Sequence, residues 1–179
     1  VGITGSNGKS TVTTLLAEMA KCAGINAVMA GNIGTPVLDV IEGDYELYVL
    51  ELSSFQLETL QNLPMEVAVV LNISPDHMDR YDSYAEYIEV KQHIYQQCKV
   101  AVINRDDEPV SYMQVGHKLV TGFSMHEPVN GDFGLREFNN EIWLCKGDEK
   151  LIEQKKLKLS GKHNVANTLS ALALGDAAK

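Results

Sequence analysis

The residues best suited to chemistry form a glycine-rich turn that follows the apolar residues 1–3. Its residues are Gly5, Ser6, Asn7, Gly8, Lys9, Ser10 and Thr11. The two glycines allow backbone N–H groups to surround an anion, because neither has a Cβ. Lys9 can reach an outer phosphate, and the Ser10 hydroxyl can ligate the accompanying Mg²⁺. A helix that begins near Ser10 directs its positive end to the same place, so the turn predicts a nucleoside triphosphate site.

The spacing of this turn is tighter than that of the usual phosphate-binding loop. The pattern G-x-x-x-x-G-K-[ST] would place its first glycine at Ile3, whereas here that glycine is Gly5. The alternative is a glycine-rich turn between a strand and a helix that binds nothing. The adjacent Gly8, Lys9 and Ser10 favour phosphate binding.

Three further side chains could take part in the same chemistry. Glu51 ends an apolar run, where nucleotide enzymes often place a carboxylate for Mg²⁺; a solvent-facing acid is the alternative. His77 stands among charged residues and is either a ligand or an ordinary loop histidine. Lys91 fills a gap in a helical apolar stripe, so it either extends its amine to water or is buried with a lowered pKa. A neutral lysine can react with CO₂ to give a carbamate, which resembles a carboxylate metal ligand.

A fourth motif, the residues 104–107, has the sequence NRDD and imitates the N-K-x-D element with which GTPases read guanine. The chain has no D-x-x-G element after a strand to accompany it, which disfavours a GTPase. We therefore expect these residues to form a turn that caps the next helical segment.

Strands and helices alternate through the first part of the chain. The apolar pattern predicts helices over 10–23, 55–63 and 83–98, and strands over 25–30, 45–52, 66–73 and 100–104. Such apolar strands indicate a parallel sheet covered by helices on both faces. Because ligands collect beyond the carboxyl ends of such strands, the turn should meet Asn32, Glu51 and His77 there.

The last third of the chain has a different pattern. It predicts short strands over 118–124, 133–138, 141–145 and 151–159, and a final helix that opens at residues 161–164. We expect these strands to form a small antiparallel sheet, packed on the main sheet or at its edge. The predicted fold class is thus α/β, a mostly parallel P-loop sheet flanked by helices with a small antiparallel sheet in the C-terminal third.

Composition narrows the functional classes. The chain has 179 residues, which suits one domain, and its net charge of −9 argues against nucleic acid as a partner. The sequence contains neither a membrane-spanning run nor a signal peptide. Cys22, Cys98 and Cys145 lack metal-binding spacing and are predicted to be buried in a reducing, cytoplasmic compartment. The missing initiator Met and the start inside a strand predict a fragment of a longer protein.

Five stretches resemble the central ATPase domain of the Mur ligases, which build the peptide stem of bacterial cell-wall precursors. They are residues 4–10, 31–34, 51–58, 72–80 and 161–167. Residues 53–58 and 76–81 are most similar to the branch that adds D-glutamate to UDP-N-acetylmuramoyl-L-alanine. Folylpolyglutamate synthetases share the first stretch, so they and the sister Mur ligases remain alternatives. A nucleotide-dependent switch without bond-forming activity is the alternative from another class.

The resemblance implies a role for each candidate residue. Gly5 to Thr11 would hold the ATP phosphates, with Lys9 on the transferring group. Ser10 and Glu51 would hold one Mg²⁺, and His77 and a carbamylated Lys91 would hold or orient the second. Asn32, Ser53 and His77 would face the muramoyl substrate, and Asn164 and Asn167 would contact adenine.

The resemblance also implies an architecture and a reaction. Residues 1–179 would be a single ATP-binding central domain, inactive without the UDP-binding and amino-acid-binding domains of a monomeric ligase. ATP would phosphorylate a carboxylate, and the amine of D-glutamate would attack the acyl phosphate to form an amide.

Overall fold

The computed structural model describes residues 1–76 and 78–179. Within these residues nine strands form one sheet in the order β2-β3-β1-β4-β5-β6-β7-β8-β9. The parallel strands are β1 (Gly2–Thr4), β2 (Ala27–Gly31), β3 (Leu47–Glu51), β4 (Met65–Val70), β5 (Cys98–Asn104) and β6 (Leu119–Phe123). The others are β7 (Phe133–Phe138), β8 (Glu141–Lys146) and β9 (Glu149–Glu153).

Six α-helices flank the sheet in the described part of the chain. They are α1 (Lys9–Cys22), α2 (Val37–Val40), α3 (Ser54–Thr59), α4 (Tyr84–Gln96), α5 (Glu108–Ser111) and α6 (Lys162–Ala177). A single 3₁₀ turn, Gln154–Lys156, follows β9 in the same described region. No helix among these residues is both long and apolar enough to cross a membrane.

Successive residues of the central strands contribute alternately to two separate hydrophobic cores. Val67 and Val69 of β4 share one core with α1 and α6, whereas Ala68 and Val70 share the other with α3 and α4. Because successive side chains of a strand point to opposite faces, a strand buried on both faces must be apolar throughout. The predicted parallel sheet with helices on both faces is confirmed.

The strand order places the glycine turn at the centre of the sheet. β1 lies between β3 and β4, although β2 and β3 follow it in the chain. The connection from β1 leads to one side and the connection from β3 leads to the other, so the order reverses beside β1. A crevice at the carboxyl ends of the strands is expected where the order reverses.

The C-terminal third departs from the prediction in two strands. The predicted strand over 151–159 ends at Glu153, because Gln154–Lys156 form the 3₁₀ turn. The predicted strand over 118–124 corresponds to β6, which pairs parallel with β5 and so extends the main sheet. Only β7, β8 and β9 of the described strands are joined in antiparallel pairs, and they continue the same sheet at its edge. The short apolar pattern could not distinguish the two pairings, because it records burial and not strand direction.

Burial of the cysteines follows the prediction in part. Cys98 and Cys145 are buried, whereas Cys22 is exposed at the end of α1. The prediction for Cys22 was wrong, because its position lies off the face of α1 that packs on the sheet, which carries Val12, Leu16 and Ala20.

Candidate functional site

The glycine turn joins the end of β1 to the start of α1. Gly8 has φ +85°, a left-handed conformation that favours glycine, and it immediately precedes the helix. A Cβ at this position would lie 2.5 Å from Oδ1 of Asn167. Gly8 has no side chain with which to cap the first N–H groups of α1, and such groups bind anions.

Residues after β4 hold the turn in place. The Ser6 N–H donates to the Asn72 carbonyl at 2.9 Å, and the Asn7 N–H donates to Asn72 Oδ1 at 2.8 Å. The Asn72 amide in return donates to the Asn7 carbonyl at 3.0 Å. Asn72 was not predicted to have a role of its own, although its place just beyond a buried strand was the available signal.

The side chain of Lys9 folds back onto the turn. Its Nζ donates to the carbonyls of Gly5 and Ser6 at 2.8 and 3.2 Å. The amine therefore lies over the concave side of the turn, where a phosphate oxygen would meet both the cation and the helix N-terminus.

Glu51 and Ser10 meet beside the turn. Glu51 ends β3 and is 1% exposed, so the alternative of a solvent-facing acid is wrong. Its Oε2 accepts from Ser10 Oγ at 2.9 Å, and its Oε1 accepts from Asn32 Nδ2 at 2.8 Å. The structure thus brings together three of the predicted residues from three strand ends.

The donor set fits a magnesium ion that is shared with phosphates. Mg²⁺ takes oxygen ligands and usually binds one or two protein groups together with substrate phosphates and waters. The carboxylate of Glu51 and the hydroxyl of Ser10 are such groups. Among residues 1–76 and 78–179 no three His, Cys, Asp or Glu side chains cluster as a metal site, so nothing there suggests a metal held by protein ligands alone.

Lys91 is buried against the same turn. It is 2% exposed, and its Nζ donates to the Gly5 carbonyl at 3.2 Å and to Thr4 Oγ1 at 3.4 Å. Burial, and secondarily the charge of Lys9, lowers the pKa of Lys91 to about 8, while the charge of Asp76 opposes the change. The alternative of an amine extended to water is therefore wrong.

The buried face of α4 is wider than the predicted stripe. Its buried residues are Tyr87, Val90, Lys91, Ile94 and Tyr95. Tyr84 and Ile88, which the stripe included, are only half-buried. Residues spaced three and four positions apart form adjacent rows on a helix, and two such rows can contact a broad sheet. The prediction included only one of these rows.

Asn164 and Asn167 approach the turn from α6. Asn167 is the neighbour that a side chain at Gly8 would meet, and its Nδ2 donates to Asn164 Oδ1 at 3.4 Å. Asn164 Nδ2 donates to the Ser160 carbonyl at 2.7 Å. The pair therefore lies at the edge of the glycine turn, although α6 is the last helix of the chain.

The hydroxyl of Ser53 is engaged at the start of its own helix. Ser53 caps α3, since its Oγ accepts from the Gln56 N–H and the Gln56 side chain accepts from the Ser53 N–H. This capping box accounts for the Ser53 hydroxyl structurally. His77 lies outside the described residues, so its predicted roles stay predictions.

The motif at residues 104–107 is structural, as predicted. Asp107 caps α5 by accepting from the Val110 N–H at 3.1 Å. Asn104 Nδ2 donates to the Leu71 carbonyl, and Asp106 accepts from Ser124. These side chains tie neighbouring strand ends together.

A family model described as the Mur ligase middle domain matches residues 3–175. The chain is 49% identical over 178 residues to a UDP-N-acetylmuramoylalanine–D-glutamate ligase of Nitrosococcus oceani, covering 99% of this chain and 39% of that protein. It is 48% identical to the enzyme of the same name from Hahella chejuensis, covering 99% of this chain and 40% of that protein. The chain thus spans about two fifths of the length of these relatives.

Solved structures give the same result at the level of the fold. A UDP-N-acetylmuramoyl-L-alanyl-D-glutamate–2,6-diaminopimelate ligase superposes with a TM-score of 0.80 at 25% identity, covering 98% of this chain and 42% of that one. A UDP-N-acetylmuramate–alanine ligase from Thermotoga maritima superposes with a TM-score of 0.68 at 24% identity, covering 98% and 40%. The chain belongs to the Mur ligase family, as its middle domain.

Proposed function

We propose that this chain is the ATP-binding domain of a ligase that adds D-glutamate to UDP-N-acetylmuramoyl-L-alanine. The observation that carries the proposal is the contact between Ser10 and Glu51, which joins a buried carboxylate to the first turn of α1 beside the glycine turn. Such an arrangement suits phosphoryl transfer, which depends on alignment and charge neutralisation. The names of the relatives supply the acceptor and the amino acid.

The reaction can be assigned to groups of this chain. A carboxylate oxygen of the acceptor forms a bond to the γ-phosphorus as the bond to the bridging oxygen breaks, and ADP leaves. The amine of D-glutamate then attacks the acyl carbon, phosphate leaves with the bonding electrons, and a proton is lost. Lys9 would neutralise charge on the transferring phosphoryl group, because its amine already lies over the turn.

Magnesium would supply further neutralisation of the phosphate charges. Mur ligases use ATP and Mg²⁺, and in this chain Ser10 and Glu51 would hold one ion. We infer a second ion that His77 and a carbamylated Lys91 would hold or orient. The lowered pKa of Lys91 supports the carbamate, because a neutral amine can form an N–C bond to CO₂ with loss of a proton.

The remaining residues are assigned to the two substrates. Asn164 and Asn167 would contact adenine, since they lie beside Gly8. Asn32, Ser53 and His77 would face the muramoyl substrate. Asn32 is oriented for this by its bond to Glu51, whereas the capping of Ser53 leaves that residue the weaker candidate.

We propose a three-domain, monomeric, cytoplasmic enzyme in which residues 1–179 are the central domain. A UDP-binding domain would precede this chain and an amino-acid-binding domain would follow it. The chain's share of its relatives' length leaves room for both. The isolated domain would be inactive, because it would lack the groups that bind the uridine and the incoming amino acid.

The test is phosphate release by the full-length ligase. ATP and Mg²⁺ are supplied with one acceptor at a time, which is UDP-N-acetylmuramoyl-L-alanine, another UDP-muramoyl precursor or a folate. Each acceptor is combined with D-glutamate, L-glutamate, L-alanine or diaminopimelate in turn. We expect release only with D-glutamate. Release with another acceptor and amino acid would indicate a sister ligase, release with a folate and L-glutamate would indicate a folylpolyglutamate synthetase, and hydrolysis independent of any acceptor would favour a switch.

The carbamate is tested by chemical rescue. Lys91→Ala should abolish phosphate release in the full-length ligase, and a short carboxylate such as formate or acetate should restore part of it by taking the carbamate's place. Lys99→Ala is the matched control, because Lys99 is an exposed lysine of β5 that forms an ion pair with Glu66 of β4. Full activity of Lys91→Ala without added carboxylate would contradict the carbamate.

A further inference from the structure

Tyr87 of α4 contacts both the glycine turn and Lys91, although no role was predicted for it from the sequence. Its side chain is buried, and its hydroxyl is 3.1 Å from Ser6 Oγ. Nζ of Lys91 is 4.9 Å from the centre of its ring. Two different parts of one side chain therefore contact two different parts of the nucleotide site.

The direction of the hydroxyl contact follows from the other bonds of Ser6. Ser6 Oγ donates to the Ser74 carbonyl at 3.0 Å and accepts from the Ser74 N–H at 2.9 Å. Its single proton is thereby used, so Tyr87 is the donor to its remaining lone pair. Burial raises the pKa of Tyr87, which keeps this proton in place at neutral pH.

Before any carbamate forms, the ring contact holds the protonated amine of Lys91. A cation over an aromatic face is attracted by the ring's quadrupole, and this attraction is stronger away from water. The same amine donates to the Gly5 carbonyl at 3.2 Å. The ring of Tyr87 and the carbonyl of Gly5 therefore fix Nζ together.

Tyr87 is also held by an aromatic contact. The ring of Tyr81 packs against it with the ring centres 5.2 Å apart. The Tyr81 hydroxyl donates to Glu58 Oε1 at 2.6 Å, and Arg80 donates to Glu58 Oε2 at 2.7 Å. The contacts thus run from α3 through two tyrosines to the phosphate-binding turn.

We propose that Tyr87 is a positioning residue of this ligase, whose hydroxyl holds Ser6 in the phosphate-binding turn and whose ring holds the amine of Lys91. The inference rests on the proposed function for its catalytic consequence. Its structural consequence, the order of the turn without nucleotide, is independent of the substrate. The two consequences give two separate measurements.

The first measurement is hydrogen exchange at residues 5–9 in the nucleotide-free, full-length protein. Tyr87→Phe removes one hydrogen bond to Ser6 and should accelerate exchange there by about three- to tenfold. Tyr95→Phe is the matched control. Tyr95 is a second buried tyrosine of α4, but its hydroxyl donates to the Val102 carbonyl and accepts from the Val70 N–H, both in the sheet.

The second measurement is steady-state kinetics with ATP. Tyr87→Phe should raise KM for ATP by about three- to tenfold and leave kcat within about twofold, because the ring and its contact with Lys91 remain. Tyr87→Leu removes the ring as well and should also lower kcat. Tyr95→Phe should leave both constants unchanged, although it removes two buried hydrogen bonds and should lower the melting temperature at least as much as Tyr87→Phe does. Ser6→Ala removes this bond together with the two bonds to Ser74, so Tyr87→Phe should add little when it is introduced into Ser6→Ala.

The outcomes separate this inference from the proposed function. Exchange and KM in Tyr87→Phe that match the wild type, or that match Tyr95→Phe, would overturn the inference. Accelerated exchange in a protein that releases no phosphate with D-glutamate would support the positioning of Ser6 and overturn the function instead.

Discussion

The carboxylate of Glu51 is buried and also hydrogen-bonded through both of its oxygens. It is almost completely buried at the end of β3, and each of its carboxylate oxygens accepts one hydrogen bond. Burial of a charge is unfavourable unless polar partners compensate it, and Asn32 and Ser10 provide that compensation. The same two oxygens are the groups proposed to bind magnesium, so the carboxylate is oriented before the ion arrives.

Glu51→Gln separates the charge from the hydrogen bonds. Glutamine can accept from Asn32 through its carbonyl and donate to Ser10, whose hydroxyl then accepts, so the fold should keep its melting temperature within a few degrees. Loss of the negative charge should reduce kcat of the full-length ligase by about a hundredfold or more. Glu66→Gln, on the exposed side of β4, is the control. A variant with normal turnover would contradict the metal role.

The buried amine of Lys91 predicts a dependence of stability on pH. Its pKa is about 8 in the folded chain and 10.5 when exposed, so the unfolded chain binds more protons between these values. The contribution of Lys91 to the free energy of unfolding should therefore rise as the pH rises from about 8 to 10.5, by about 3 kcal/mol in total.

Denaturant titrations in CO₂-free buffer check this. The difference in unfolding free energy between Lys91→Met and the wild type should be largest near neutral pH and shrink as the pH approaches 10.5. Groups that do not interact with Lys91 titrate identically in both proteins, so they cancel in the difference. A difference that is constant over this range would show that the amine is not desolvated.

At the scale of elements, the site depends on the approach of the two helices α1 and α6. Gly8 precedes α1 and Asn167 belongs to α6, and a Cβ at Gly8 would lie 2.5 Å from Asn167 Oδ1, so the Asn167 side chain would have to move to admit one. The glycine therefore serves two purposes, a left-handed backbone and a close helix contact. The sequence pattern indicated the first purpose, but the second depends on a residue more than 150 positions away.

Gly8→Ala and Gly24→Ala distinguish these two purposes. Gly24 has φ +80° with no atom within 4 Å of a built Cβ, so its substitution costs only backbone strain, about 1 to 2 kcal/mol. Gly8→Ala adds the clash with Asn167 and should be more destabilising by thermal unfolding, and it should weaken ATP binding. Adding Asn167→Ala should relieve part of the loss at Gly8 and none at Gly24. Equal effects of the two glycine substitutions would contradict the close contact.

The part of the site that could be predicted is the part that short sequence patterns indicate. The glycine turn and the ends of buried strands are visible as short patterns, so the meeting of Ser10, Asn32 and Glu51 could be anticipated from a parallel sheet. Asn72 and Tyr87 could not, because their roles arise from contacts with Ser6 across 66 and 81 positions. The parallel pairing of β6 was missed for a similar reason, since its partner β5 is separated from it by α5.

At the scale of the whole molecule, one sheet carries two kinds of pairing. Its parallel half holds the site, and its antiparallel edge ends at β9, whose outer side has no partner among the described strands. Lys150, Lys155 and Lys156 on and just after this strand provide charges that disfavour pairing with another chain. Stability should therefore decrease from the centre of the sheet to this edge.

Native-state hydrogen exchange measures that gradient. Residues 67–70 of β4, which pair on both sides and are buried, should exchange only on global unfolding. Residues 149–153 of β9 should exchange by local opening and be insensitive to low denaturant. Equal protection of both strands would contradict a stability gradient across the sheet.

The central position of β1 in the sheet has a consequence for folding during synthesis on the ribosome. Gly2–Thr4 pair with residues 50 and 51 on one side and with residues 68–70 on the other. A ribosome adds about 5 to 20 residues per second, so this apolar strand waits for several seconds before both neighbours exist. During synthesis the segment that will later hold the phosphates is therefore an unpaired apolar strand, which a chaperone could shield until its neighbours are made.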